Sequence, residues 1–250
     1  MLTHADVWYV LPDEIGNPEL LNDYRNILSD DEISRCERFC FDRDRHRHLV
    51  AWALARTMLS NYSDISPKAW EFLNNRHGRP EISGPSSAPR LRFNLSHTNG
   101  LIACIVAPEL DVGIDVEDCR RNISGPAIAR RYFSAREVAA FERLTKNEQA
   151  AAFFEYWTLK EAYVKAVGRG ISLGLARFSF ELDERGLRVD DPKRRPATIS
   201  FDGLNDDPAV WQFAQYKPTP HHAMAIAIRC GVGKDLEIRL RKIGPSLASY

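Results

Sequence analysis

One order of features occurs twice along this chain, and it leaves few folds open. A basic or aromatic start, a long apolar helical stretch and a short aromatic strand run through Arg38-Phe39, residues 46–62 and Trp70-Glu71-Phe72-Leu73. The order returns at Tyr132-Phe133, residues 149–167 and Phe178-Ser179-Phe180-Glu181. A helix with one apolar face needs a few strands to cover it, so the repetition predicts an α+β fold made of two similar units. Pro108, Glu109 and Asp111 interrupt two apolar strands, which divides the chain into an N-terminal unit over 1–109 and a C-terminal unit over 110–250.

Local signals place the elements. Residues 7–11 read as a first strand, and Ser29 followed by Asp30, Asp31 and Glu32 marks the start of a helix. Over 46–62, Leu49, Trp52, Ala53, Met58 and Leu59 recur near helical spacing. Residues 69–73 suggest a short strand, and the Pro, Ser and Gly of 83–89 form a loop leading to a strand at 91–95. Asn99-Gly100 is a hairpin turn signal before an apolar strand at 101–107. In the second half, Gly168 should end the long helix, and strands are expected at 177–182, 210–216 and 224–229.

Composition removes several classes of function. Lysine plus arginine and aspartate plus glutamate both number 34, so no global field draws nucleic acid or an anionic membrane. The five cysteines include no CxxC pair, which argues against a disulfide framework or a zinc knuckle and suits a reducing cytosol. The longest apolar runs, 101–107 and 223–228, fall far short of the ~20 residues of a membrane helix. The opening Met-Leu-Thr-His-Ala-Asp lacks the basic-then-apolar order of a secretory signal, so a cytoplasmic location is expected.

Candidate chemistry concentrates at a few positions. In Gly113-Ile114-Asp115-Val116-Glu117, apolar and acidic residues alternate, so both acids share one face of a strand. Paired carboxylates favour a divalent cation between them. Those five residues also suit a solvated edge strand. Glu161 tilts the balance, because it lies on one helical stripe with Phe154, Trp157 and Val164, where an uncompensated carboxylate is costly. An ion pair with Lys165, one turn on, is the simpler reading of that residue. Lys160, Lys165 and Gly168-Arg169-Gly170 add positive charge beside it, suited to phosphate. His97 sits at a strand tip with Ser96; both could bond a phosphate oxygen, and both could simply finish a turn. His77-Gly78-Arg79-Pro80 and Arg43, Arg45, His46 and Arg47 are further basic clusters.

Phe93-Asn94-Leu95-Ser96-His97, Gly113-Ile114-Asp115-Val116-Glu117 and the run from Phe154 to Lys165 resemble, in that order, the three blocks of the surfactin-type (Sfp-type) 4′-phosphopantetheinyl transferases. G-I-D-x-E followed by W-x-x-K-E-x-x-x-K is a specific combination. The resemblance covers about 29–229 and implies a monomer of two similar α+β subdomains related by pseudo-twofold symmetry, with coenzyme A bound in the cleft between them. It implies transfer of the 4′-phosphopantetheine arm to a serine of an apo-carrier protein. Asp115, Glu117 and Glu161 would hold Mg²⁺; Glu161, or a water on the metal, would be general base and Lys165 would neutralise developing charge. Arg47, Arg79, Ser96, His97, Lys160 and Lys165 would contact coenzyme A. Arg79 stands where a lysine is often found, and its guanidinium suits phosphate as well. Glu32 and His48 depart from the family pattern and put the adenine-side contacts in doubt. The carrier, docking by an acidic helix, is expected near Arg120, Arg121 and 134–146. A noncatalytic coenzyme A or carrier-binding module is the alternative, and the acids alone would also allow a Mg²⁺-dependent phosphohydrolase.

Overall fold

The computed structural model describes residues 4–121, 125–182 and 197–247. In chain order its elements are β1 (His4–Val10), α1 (Pro18–Ile27), α2 (Asp30–Glu37), α3 (Asp42–Ser60), β2 (Glu71–Asn74), β3 (Pro80–Gly84), β4 (Leu91–Thr98) and β5 (Leu101–Pro108). There follow β6 (Val112–Asp118), α4 (Gly125–Tyr132), α5 (Ala135–Glu142), α6 (Lys146–Val167), β7 (Phe178–Leu182), β8 (Ala197–Phe201), β9 (Trp211–Thr219), β10 (His222–Arg229) and β11 (Glu237–Lys242). They form two compact units, one built from the chain up to Leu110 and from Glu237 onward, the other from Asp111–Leu236.

Each unit repeats one plan. In the first, the sheet order is β11-β1-β5-β4, and β5 runs antiparallel to both β1 and β4. In the second it is β6-β10-β9, with β10 antiparallel to both neighbours. In each unit the long helix follows the first strand after two shorter helices and packs on the sheet, burying Val50, Leu54 and Met58 of α3 in one core and Leu159, Ala162 and Ala166 of α6 in the other. A two-stranded ribbon, β2-β3 or β7-β8, completes each unit. Gly100 takes φ 77° in the turn between β4 and β5, and Gly168 takes φ 71° at the end of α6, where its N–H bonds the Val164 carbonyl.

The correspondence extends to side chains. Ser29 and Glu32 form a capping box on α2, as Ser134 and Glu137 do on α5. Each glutamate then binds a buried cation from the long helix. Arg56 of α3 meets Glu32 through Nε to Oε2 at 2.8 Å and Nη2 to Oε1 at 3.0 Å, and its Nη1 donates to the carbonyls of Pro67 and Trp70. Lys160 of α6 stands 2.7 Å from Glu137 Oε2, with both side chains fully enclosed. Its Nζ donates to the carbonyls of Leu175 and Phe178 at 2.8 Å each. With three donors placed, the ammonium is satisfied without water. Glu32 is therefore one half of a repeated anchor.

Three expectations are corrected here. The equivalent positions are Ser29 to Glu32 and Ser134 to Glu137, so Phe133 matches the buried Leu28 that precedes the first cap, and not Phe39. The C-terminal segment joins the first unit, because β11 pairs in parallel with β1, Val7 facing Leu240. Strands β3, β8 and β11 and helix α1 add to the elements read from sequence. Among the described residues, no helix is long and apolar enough to cross a membrane.

Candidate active site

β6 and α6 are held unusually close, and a glycine permits it. A Cβ on Gly113 would lie 2.0 Å from the Ala162 carbonyl oxygen and 2.5 Å from the Ala166 nitrogen. With Gly113 on the strand and alanines at the facing helical positions, the backbones can approach until side chains flanking the contact meet. Asp115 and Glu117 project from one face of β6, opposite Ala225 and Ala223 of β10. Glu161 and Lys165 follow one turn apart on α6.

Lys165 of α6 meets Asp115 of β6. Lys165 Nζ stands 2.7 Å from Asp115 Oδ1 and 3.1 Å from the Ile114 carbonyl oxygen. Arg121 Nη1 stands 2.6 Å from Glu117 Oε2. Glu161 Oε1 is buried and accepts no hydrogen bond. Burial pushes the Glu161 carboxyl up to about 7; the negative charge of Asp115 adds to the rise, Lys165 opposes it and Glu117 adds a smaller share. Burial and then Asp115 raise Glu117 as well, against the pull of Arg121.

These residues suit a hard divalent cation. Among the described residues, no three His, Cys, Asp or Glu side chains are gathered tightly enough to cage an ion unaided. Two of the carboxylates hold Lys165 and Arg121 instead. Mg²⁺ commonly takes only one or two carboxylates and completes its octahedron with phosphate oxygens and water, so a closed cage is not required. A buried carboxylate oxygen with no hydrogen-bond partner, in a group whose pKa is raised by burial and then by the charges of Asp115 and Glu117, is the feature that a cation would satisfy.

The remaining candidates divide. Ser96 is buried and His97 exposed, on opposite faces of β4. Arg79 follows Gly78, which takes φ 84°, in a turn where Asn75 Oδ1 accepts from the amides of His77 and Arg79. Arg47 pairs with Asp44 at 2.7 Å in the first turns of α3 and keeps partial exposure. All four belong to the first unit. Lys160 departs from its expected role as a cofactor contact, because its three donors are taken by Glu137, Leu175 and Phe178 inside the core. The close backbone approach at Gly113 and the pairing of Arg121 with Glu117 are additions. The small-residue spacing of Ala162 and Ala166 signals a close backbone contact, but what it faces is set by the fold.

A family model described as "4′-phosphopantetheinyl transferase, N-terminal" matches residues 18–109, and one described as "4′-phosphopantetheinyl transferase superfamily" matches 111–227. The chain belongs to the 4′-phosphopantetheinyl transferase family. The two matches meet where the structural units divide, between Leu110 and Asp111. Among curated relatives, the phosphopantetheinyl transferase psf-1 of Bacillus pumilus is 31% identical over 205 residues, covering 81% of this chain and 79% of psf-1. A 4′-phosphopantetheinyl transferase of Bacillus subtilis is 31% identical over 159 residues, 64% of this chain and 68% of the relative. HetI of Nostoc sp. is 35% identical over 152 residues, 61% of this chain and 64% of HetI, so the match spans just under two thirds of that relative. Within the phosphopantetheinyl transferase superfamily match fall Asp115, Glu117, Glu161 and Lys165.

Proposed function

We propose that this chain transfers the 4′-phosphopantetheine arm of coenzyme A to a serine of an apo-carrier protein, with Asp115, Glu117 and Glu161 holding Mg²⁺. The observation that carries the reading is the buried, unbonded Glu161 Oε1 beside the Asp115 and Lys165 pair, in a member of this transferase family. Bound Mg²⁺ would supply charge neutralisation at the pyrophosphate. Glu161, or a water on the metal, would accept the proton of the serine hydroxyl. The serine oxygen bonds to the β-phosphorus of coenzyme A as the bond to the bridging oxygen breaks, and adenosine 3′,5′-bisphosphate leaves with that electron pair. Lys165 moves onto the phosphoryl oxygens as their charge redistributes.

Arg47, Arg79, Ser96 and His97 would bind the cofactor's phosphates, in line with the resemblance. The carrier's acidic helix would meet Arg120, Arg121 and the 134–146 segment. A cavity of ≈ 350 Å³ there, lined by Arg121, Lys146, Phe153 and Phe154 among others, combines cations with an apolar floor. The protein would act as a cytoplasmic monomer. Incubation with coenzyme A and a panel of purified apo-carriers tests the reaction by mass spectrometry. A carrier that gains the arm with Mg²⁺ and not with chelator supports the reading, and no gain across acyl and peptidyl carriers contradicts it.

A further inference from the structure

The Glu137 and Lys160 pair lies in the protein interior, one residue from Glu161, and the reaction as derived makes no use of it. At about 100° per residue, Lys160 and the Ala162 and Ala166 pair lie on opposite sides of α6, while Glu161 and Lys165 lie between them. One side is fixed by the Lys160 ammonium, held by Glu137, the Leu175 and Phe178 carbonyls and, at 4.4 Å, the Phe178 ring. The other side is fixed by the backbone contact with Gly113. Rotation of α6 that carried Glu161 away from β6 would pull Lys160 out of its bonds, leaving a buried glutamate uncompensated.

We infer that Glu137 and Lys160 are positioning residues for the reaction centre, clamping the rotation of α6 so that Glu161 and Lys165 face Asp115 and Glu117. Glu32 and Arg56 make the same clamp on α3, whose unit contains none of those four residues, so the repeat supplies an internal control. The inference rests on the proposed metal site.

The test compares wild type with the double variant Glu137→Leu/Lys160→Met, which removes one charge of each sign and so leaves the net field at Glu161 little changed. Apolar replacement of a buried ion pair is often tolerated in stability. Mn²⁺ uptake, followed by electron paramagnetic resonance on folded protein without carrier, is the first readout. The expected result is affinity roughly 10–100-fold weaker, the scale seen when groups that orient metal ligands are removed. In turnover, kcat should fall with the apparent KM for coenzyme A little changed. Lys160→Arg, which keeps the charge and alters its reach, should lower Mn²⁺ affinity in a folded protein even where the double variant does not fold. Arg56→Lys should leave Mn²⁺ affinity as in wild type. Wild-type Mn²⁺ affinity and kcat in the Lys160→Arg or the double variant would overturn the inference. Absence of Mn²⁺ uptake by wild type, with coenzyme A present, would contradict the metal site itself and remove the inference with it.

Discussion

Lys165 Nζ stands 2.7 Å from Asp115 Oδ1, although 50 residues separate them in sequence. The contact exists because α6 lies directly on Gly113 of β6. Lys165 thus partners Asp115 and, in the proposed reaction, would turn to phosphate once the acids held a cation. Lys165→Met should lower kcat by roughly 10²–10³, the usual scale for removing a group that stabilises transition-state charge, while divalent cation binding persists. Steady-state kinetics with calorimetric titration separate the two effects.

Gly113→Ala forces a methyl group into the Ala162 carbonyl. The helix must move, which should destabilise the protein by about 1–3 kcal/mol and lower kcat together. Urea unfolding and turnover of the same preparation measure both. Unchanged stability would show that β6 and α6 have room to spare.

Arg56→Met leaves Glu32 buried with its capping bond and no cation. Removing one partner of such a pair typically destabilises by about 3–5 kcal/mol. The first unit should lose stability, read by denaturant unfolding, and Glu32→Gln should restore part of it in the double variant.

Glu161 makes stability depend on pH. Its folded-state value of about 7 exceeds the ~4.3 of an unfolded glutamate, so between the two the native state holds the extra proton. Stability of the metal-free protein should therefore fall as pH rises through that window, and Mg²⁺ should stabilise more above neutrality than below it. Thermal unfolding from pH 5 to 8 in wild type and Glu161→Gln isolates this contribution; an identical slope in both would remove Glu161 as its source.

Arg79→Ala should raise the apparent KM for coenzyme A about tenfold with kcat near wild type, the scale of one lost charged hydrogen bond of ~1.5 kcal/mol. Arg79→Lys should recover most of it.

Much of this was legible in the residues. The long helices, the glycine stop of α6 and the alternation of β6 are local signals, and Glu161 stood out as a carboxylate on an apolar stripe. What escaped is nonlocal. Ser134-x-x-Glu137 is readable as a cap, but nothing in its neighbourhood says that the glutamate meets Lys160, and a lysine beside Glu161 reads naturally as a phosphate ligand. The strand β11, with charges at Glu237, Arg239, Arg241 and Lys242, finds its partner at the opposite end of the chain. Gly113 looked like a strand glycine until α6 was placed against it.

The measurement that tests the reaction centre most directly is single-turnover transfer by Glu161→Gln, followed by carrier mass, beside calorimetric binding of coenzyme A. Loss of base and ligand charge together predicts transfer at least about 10²-fold slower than wild type, with coenzyme A binding largely kept. Transfer at the wild-type rate would contradict the assignment of Glu161, and with it the β6 and α6 centre.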